Sequence, residues 1–74
     1  MAVHTTIIKD EKVFYSYYQG HRNAIVLEFD LKYKQWDTLI IQCPVPRWNN
    51  LPIYKKISFV ETIEPNGNIL LHLK

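Results

Sequence analysis

Three histidines, a single cysteine and a carboxylate set among apolar strand residues are the side chains of this chain whose types could carry chemistry. His4, His21 and His72 show neither H-x-H nor H-x-x-x-H spacing, so a metal site would have to gather them from separate strands with Cys43 or an acid. A Cys43 and His21 pair is the second arrangement, because an imidazole can activate a neighbouring thiol. Cys43, however, falls on the apolar side of its strand, where a thiol serves as a small hydrophobe. Glu61 stands on an apolar strand face, the setting of a carboxylate used in acid–base work, but no second carboxylate is spaced to pair with it. With Gly20 and Gly67 as its only glycines, the chain carries no phosphate-cradling loop. These residues point away from an enzyme and call for no cofactor and no metal.

The elements that must position these side chains are strands. Apolar residues recur at a spacing of two, and the pattern predicts strands over 3–9, 12–18, 24–31, 36–43, 56–63 and 68–73. Most connections are short enough for hairpins. The exception is the segment 44–54, where Pro44, Pro46 and Pro52 oppose regular pairing.

Hairpin geometry then predicts faces, since directly opposed residues share one. A three-residue loop with Pro65 at the second turn position and Gly67 left-handed sets Ile63 opposite Ile69, Glu61 opposite Leu71 and Phe59 opposite Leu73. Ile57, Phe59, Ile63, Ile69, Leu71 and Leu73 then make one apolar face, with Glu61 as its ionisable intruder. A loop centred on His21 sets Tyr17 opposite Ile25, Tyr15 opposite Leu27 and Val13 opposite Phe29. One centred on Lys34 sets Phe29 opposite Leu39, Leu27 opposite Ile41 and Ile25 opposite Cys43. The opposite face is left with an apolar stripe of Phe14, Tyr18, Val26 and Ile40. A stripe of that size calls for a cover: another part of the chain, a second copy, or a ligand stacking on the rings.

Two further segments are suited to recognition. The tip Gln19-Gly20-His21-Arg22-Asn23 offers His21 and Arg22 on a hairpin end. The proline-stiffened loop offers Arg47 beside Trp48, residue types that dominate interface hot spots; Trp48 would otherwise plug one end of the sheet.

Length and composition bound what such a surface could meet. The 74 residues allow one domain, 1–74, and a chain this short buries too little surface to be very stable without help. One cysteine cannot supply a disulfide within the chain, and it fits a reducing compartment. There is no secretion-type start and no apolar run long enough to span a bilayer, so the expectation is a cytoplasmic protein with no membrane partner. Nine Lys and Arg against seven Asp and Glu give a net charge of +2, too little for strong binding to a nucleic-acid backbone. Lys32, Lys34, Arg47, Lys55 and Lys56 nevertheless interleave with Tyr33, Trp36, Trp48 and Tyr54, so single-stranded nucleic acid stays as the alternative partner.

Val26-Leu27-Glu28-Phe29-Asp30 followed by Trp36-Asp37-Thr38-Leu39 resembles part of a kelch-type propeller blade, in which an aspartate ends one strand and a tryptophan opens the next. The paired glycines of such a blade are replaced by Ser16-Tyr17-Tyr18-Gln19, and the motif occurs once, so the resemblance implies a strand-turn-strand unit and no function.

The expectation is therefore an all-β domain of five to six mostly antiparallel strands, built as a small SH3-like or OB-like barrel or a strongly twisted meander sheet. Its expected role is non-catalytic binding through protein–protein contacts, self-association into a homodimer among them. The candidate binding residues are Phe14, Tyr18, Val26, Ile40, His21, Arg22, Arg47 and Trp48.

Overall fold

One long, bent strand organises the molecule, as seen in a computed structural model that describes residues 1–28, 30–63 and 67–74. The elements are β1 (Val3–Ile7), α1 (Glu11–Tyr18), β2 (Ala24–Leu27), β3 (Thr38–Gln42), β4 (Ile53–Ile63) and β5 (Asn68–Leu73). The strands form one sheet in the order β1-β3-β4-β5-β2. β1 lies parallel to β3, and the other three pairings are antiparallel. The start of β4 pairs with β3, Tyr54 standing opposite Ile40, while the rest pairs with β5, Glu61 opposite Leu70. At the start of the part paired with β5, the register shifts between Ile57 and Phe59. An extra residue at such a bulge bends its strand and raises the local twist. The sheet-dominated architecture expected from the alternation is present, and its five strands curl into a half-barrel. Among the described residues no helix is long and apolar enough to cross a membrane.

The segment 12–18 is not a strand. Glu11–Tyr18 form a helix, because local capping overrides the strand-forming tendency of aromatic residues. Asp10 Oδ1 accepts from the Lys12 and Val13 amides at 2.9 and 3.4 Å, and Glu11 sits in the first turn, where a negative charge is favoured. At the other end, the Gly20 amide donates to the Tyr17 carbonyl and the His21 amide to the Ser16 carbonyl, with Gly20 at φ 79°. This is a Schellman stop, and glycine adopts its left-handed position without a Cβ clash. Phe14 and Tyr17, one turn apart, point into the core, while Tyr15 and Tyr18 point out. The hairpin centred on His21 therefore does not exist.

The helix carries the chain from one edge strand of the sheet to the other, so β2 pairs with β5 rather than with β3. The hairpin centred on Lys34 and the blade-like strand-turn-strand unit are thus also absent. Their face assignments partly survive: Ile25, Leu39, Ile41 and Cys43 are buried, with Leu27 packed against them. The expected pairing of Phe29 and the turn on Pro65 lie outside the described residues. In the last hairpin the register is one residue off the expected one, with Ile63 opposite Asn68, Glu61 opposite Leu70 and Val60 opposite Leu71. That slip turns Val60 toward the core and leaves Phe59 and Glu61 exposed. The bulge returns Ile57 to the core side, opposite Leu73. Gly67 is left-handed as expected, at φ 73°. The strand expected at 56–63 begins three residues earlier, where Ile53 pairs with Ile41 directly after Pro52.

Phe14, Tyr17, Ile25, Leu39, Ile41, Cys43, Ile57, Ile69, Leu71 and Leu73 form the core between the helix and the concave face of the sheet. Each large apolar side chain buried there contributes roughly 1.5–3 kcal/mol. The parallel joint is fastened by Asp37, which is buried just before β3. Its carboxylate accepts from His4 Nε2 at 2.7 Å, the Ala2 amide at 3.0 Å and the Lys34 amide at 3.3 Å. The His4 hydrogen bond, seconded by the Ala2 amide, holds the Asp37 carboxyl below the usual carboxylate range. Trp36, next to it, takes a left-handed φ of 75°, strained for a residue with a Cβ, and its amide is held by the Ile57 carbonyl at 2.6 Å.

Candidate binding surface

The proline-containing loop between β3 and β4 folds back onto the outer side of α1. Within it the Trp48 amide donates to the Val45 carbonyl at 2.8 Å and the Leu51 amide to the Trp48 carbonyl at 2.9 Å. These turns, with φ fixed at the prolines, aim the Trp48 indole at the helix. Its ring centroid lies 5.4 Å from Phe14, 5.6 Å from Tyr15 and 5.3 Å from Tyr18. Tyr15 and Tyr18 stack nearly parallel, at 6.1 Å and 12°. The four rings form a continuous ladder from Phe14, fully buried, to Tyr18, 54% exposed. Trp48 therefore fills both roles considered for it, packing against the core through Phe14 and presenting an edge at the surface.

Glu11 ties this ladder to the charges around it. Its Oε2 accepts from Trp48 Nε1 at 2.8 Å and lies 3.4 Å from Arg47 Nη1. Glu11, Lys12, Tyr15, Arg47 and Trp48 line an open cleft of about 410 Å³. Two cations and one carboxylate give it a net positive lining, and the rings offer flat apolar area whose conformational entropy is already lost to packing. Such a surface can stack planar groups and bind carboxylates or phosphates through Arg47 and Lys12.

Of the residues singled out from the sequence, Phe14, Tyr18, Arg47 and Trp48 are brought together here. His21 is exposed where the chain leaves the helix. Arg22 and Val26 line a second groove, of about 500 Å³, whose walls are β1 and β2 and whose floor includes Val13 and Tyr17. Ile40 is half-buried on the outer face of the sheet, opposite Tyr54. The expected stripe of Phe14, Tyr18, Val26 and Ile40 is therefore divided among the core, the helix surface and the outer sheet face. The outer face instead carries Val26, Ile40, Tyr54, Phe59 and Leu70, together with a Glu61–His72 pair at 2.9 Å. Glu61 meets the His72 imidazole there, so the intruder of the expected apolar face is an exposed residue in a hydrogen bond.

Tyr15, Glu11 and Lys12 belong to the cleft and were not anticipated. The three-residue step from Tyr15 to Tyr18 and the cap residues Asp10 and Gly20 are the signals that would have found them. Cys43 is buried and forms no disulfide. Among the described residues, no group of three or more His, Cys, Asp or Glu is placed to hold a metal ion. No known family model matches this chain, and no curated protein shows significant similarity to it.

Proposed function

We propose that this chain is a non-catalytic binding module that acts through protein–protein contacts, with the α1 and proline-loop surface as its contact. The observation that supports this is the ladder of Tyr15, Tyr18 and Trp48 beside Arg47, held rigid by the helix and by Glu11. Trp, Tyr and Arg anchor protein interfaces because they bury much area for few rotatable bonds and still offer a polar end. A lone buried thiol fits a reducing cytoplasm as its compartment. The alternative partner is single-stranded nucleic acid, favoured by Lys12 and Arg47 flanking the rings of the cleft.

A photo-reactive amino acid in place of Tyr18, in cells of the native host, tests the reading, with Lys34 as an exposed position outside the cleft. A discrete protein adduct from position 18 and none from position 34, reduced about tenfold by Arg47→Ala, is the expected result. Adducts to nucleic acid alone would move the function to the alternative. No adduct at position 18 would remove the surface from consideration.

A further inference from the structure

We infer that the free edge of β2 is a self-association site, at which β2 pairs antiparallel with β2 of a second copy, Ile25 facing Ile25 across a twofold axis. This goes beyond the function proposed above, because it uses a different surface and names the partner.

Among the described residues β2 is a terminal strand of the sheet, with no strand beside one of its edges. The polarity of that edge follows from the other one. The Leu73 amide donates to the Asn23 carbonyl at 2.7 Å, and the register continues with Ile25 opposite Leu71 and Leu27 opposite Ile69. Odd-numbered residues therefore aim their backbone groups at β5, and Ala24 and Val26 aim theirs outward. Tyr17 supports this parity, since its hydroxyl donates to the Ala24 carbonyl at 2.7 Å from the helix side. One lone pair of that carbonyl remains, as do the Ala24 amide and both backbone groups of Val26.

Edges of this kind are usually protected by a charge, a proline, a bulge or a covering element; Ala24-Ile25-Val26-Leu27 carries none of the first three, and across the edge lies the open groove toward β1, with the Tyr17 phenol at its Ala24 end. Symmetric registers centred on Ala24, Ile25 or Val26 would each set outward groups of two copies against one another, but only the Ile25 register matches Ala24 and Val26 wholly with each other inside the strand. Charge agrees with that register. Arg22 and Glu28 flank Ile25 at equal distance, both exposed, and neither forms an ion pair among the described residues. Centring on Ile25 sets Arg22 opposite Glu28 of the second copy, twice, and pairs Ala24 with Val26 through mutual hydrogen bonds. Centring on Val26 would instead set Ala24 against Glu28, beyond the strand, and Arg22 against Asp30, whose carboxylate already has Lys32 at 3.8 Å. Val26, 52% exposed, becomes covered in the dimer.

A strand pair this short is a small contact, so the dimer is a weak one. Sedimentation velocity of the purified chain, from about 10 μM to about 1 mM, should show the mass rising toward twice the monomer. Val26→Pro deletes an amide that the fold does not use, and it should raise the dissociation constant at least about tenfold. Arg22→Glu should weaken the dimer as well, and adding Glu28→Arg should restore it, because the swapped pair is again complementary. Should Val26→Pro fail to fold by circular dichroism, the two charge variants decide alone. A monomer at every concentration overturns the inference. So does a dimer indifferent to Val26→Pro and to Arg22→Glu, or one dispersed only by Tyr54→Lys, which would lie on the outer sheet face. None of these results bears on the Tyr18 cross-linking, which reports on the other surface.

Discussion

His4 Nε2 stands 2.7 Å from Asp37 Oδ2, joining positions 33 residues apart in the chain and closing the parallel pairing of β1 with β3. The Asp37 carboxyl is held below its ordinary value in the folded protein, chiefly by this bond. Its contribution to stability is therefore complete above the unfolded carboxylate pKa and is lost as pH falls through the depressed folded value. Asp37→Asn should lower the thermal midpoint at pH 7, and the gap from the parent should close below about pH 4. Thermal denaturation at several pH values measures this, and a gap that persists in acid would assign the loss to shape rather than charge.

Tyr17 gives the opposite sign. Burial pushes its phenol above the usual tyrosine value, so the folded state favours the neutral form. That stability is present below about pH 10 and declines as pH rises through the folded value. Tyr17→Phe should cost about 1 kcal/mol at neutral pH through loss of the bond to the Ala24 carbonyl. Urea unfolding should show the difference narrowing above pH 10.

Gly20→Ala isolates backbone strain, because a Cβ added at this position meets nothing within 4 Å. The expected cost is about 1 kcal/mol, from the left-handed φ alone. Gly20→Asn should cost less, since asparagine tolerates that region better. Equal losses for the two would show that something other than φ is at stake.

Trp48→Ala removes the ring shared by core and surface and should destabilise by about 2–4 kcal/mol. Trp48→Phe keeps an aromatic ring against Phe14 and loses the indole bond to Glu11, so about 1 kcal/mol is expected. Chemical denaturation of both variants separates packing from hydrogen bonding at this position.

Strand alternation located β5 to the residue, and the expected hairpins turned Ile25, Leu39, Ile41 and Cys43 inward; those faces hold although the hairpins do not, because a period of two survives whichever strand is the neighbour. Pairing did not follow from it. β1 with β3 and β2 with β5 are contacts between distant parts of the chain, and hairpin reasoning considers adjacent segments only. Glu61 was misplaced by a register slip of one residue, and the bulge after Ile57 that lets both Ile57 and Val60 face inward has no mark in the sequence. The surface around Trp48 was half legible. Arg47 and Trp48 stood out by type, whereas Tyr15 was assigned inward because the aromatic run was given the wrong period; the Asp10 and Gly20 caps held the correct one.

The route of the chain through the sheet also orders events in time. β1 and β2 are made first, yet they form the outermost strands, and their neighbours β3 and β5 lie far downstream. On a ribosome, residues 1–27 would emerge with only a capped helix able to form among themselves. Sheet closure would wait until Leu73 is free to meet Asn23. Loop closure over such separations slows folding, so this small protein is expected to fold in milliseconds or longer rather than microseconds.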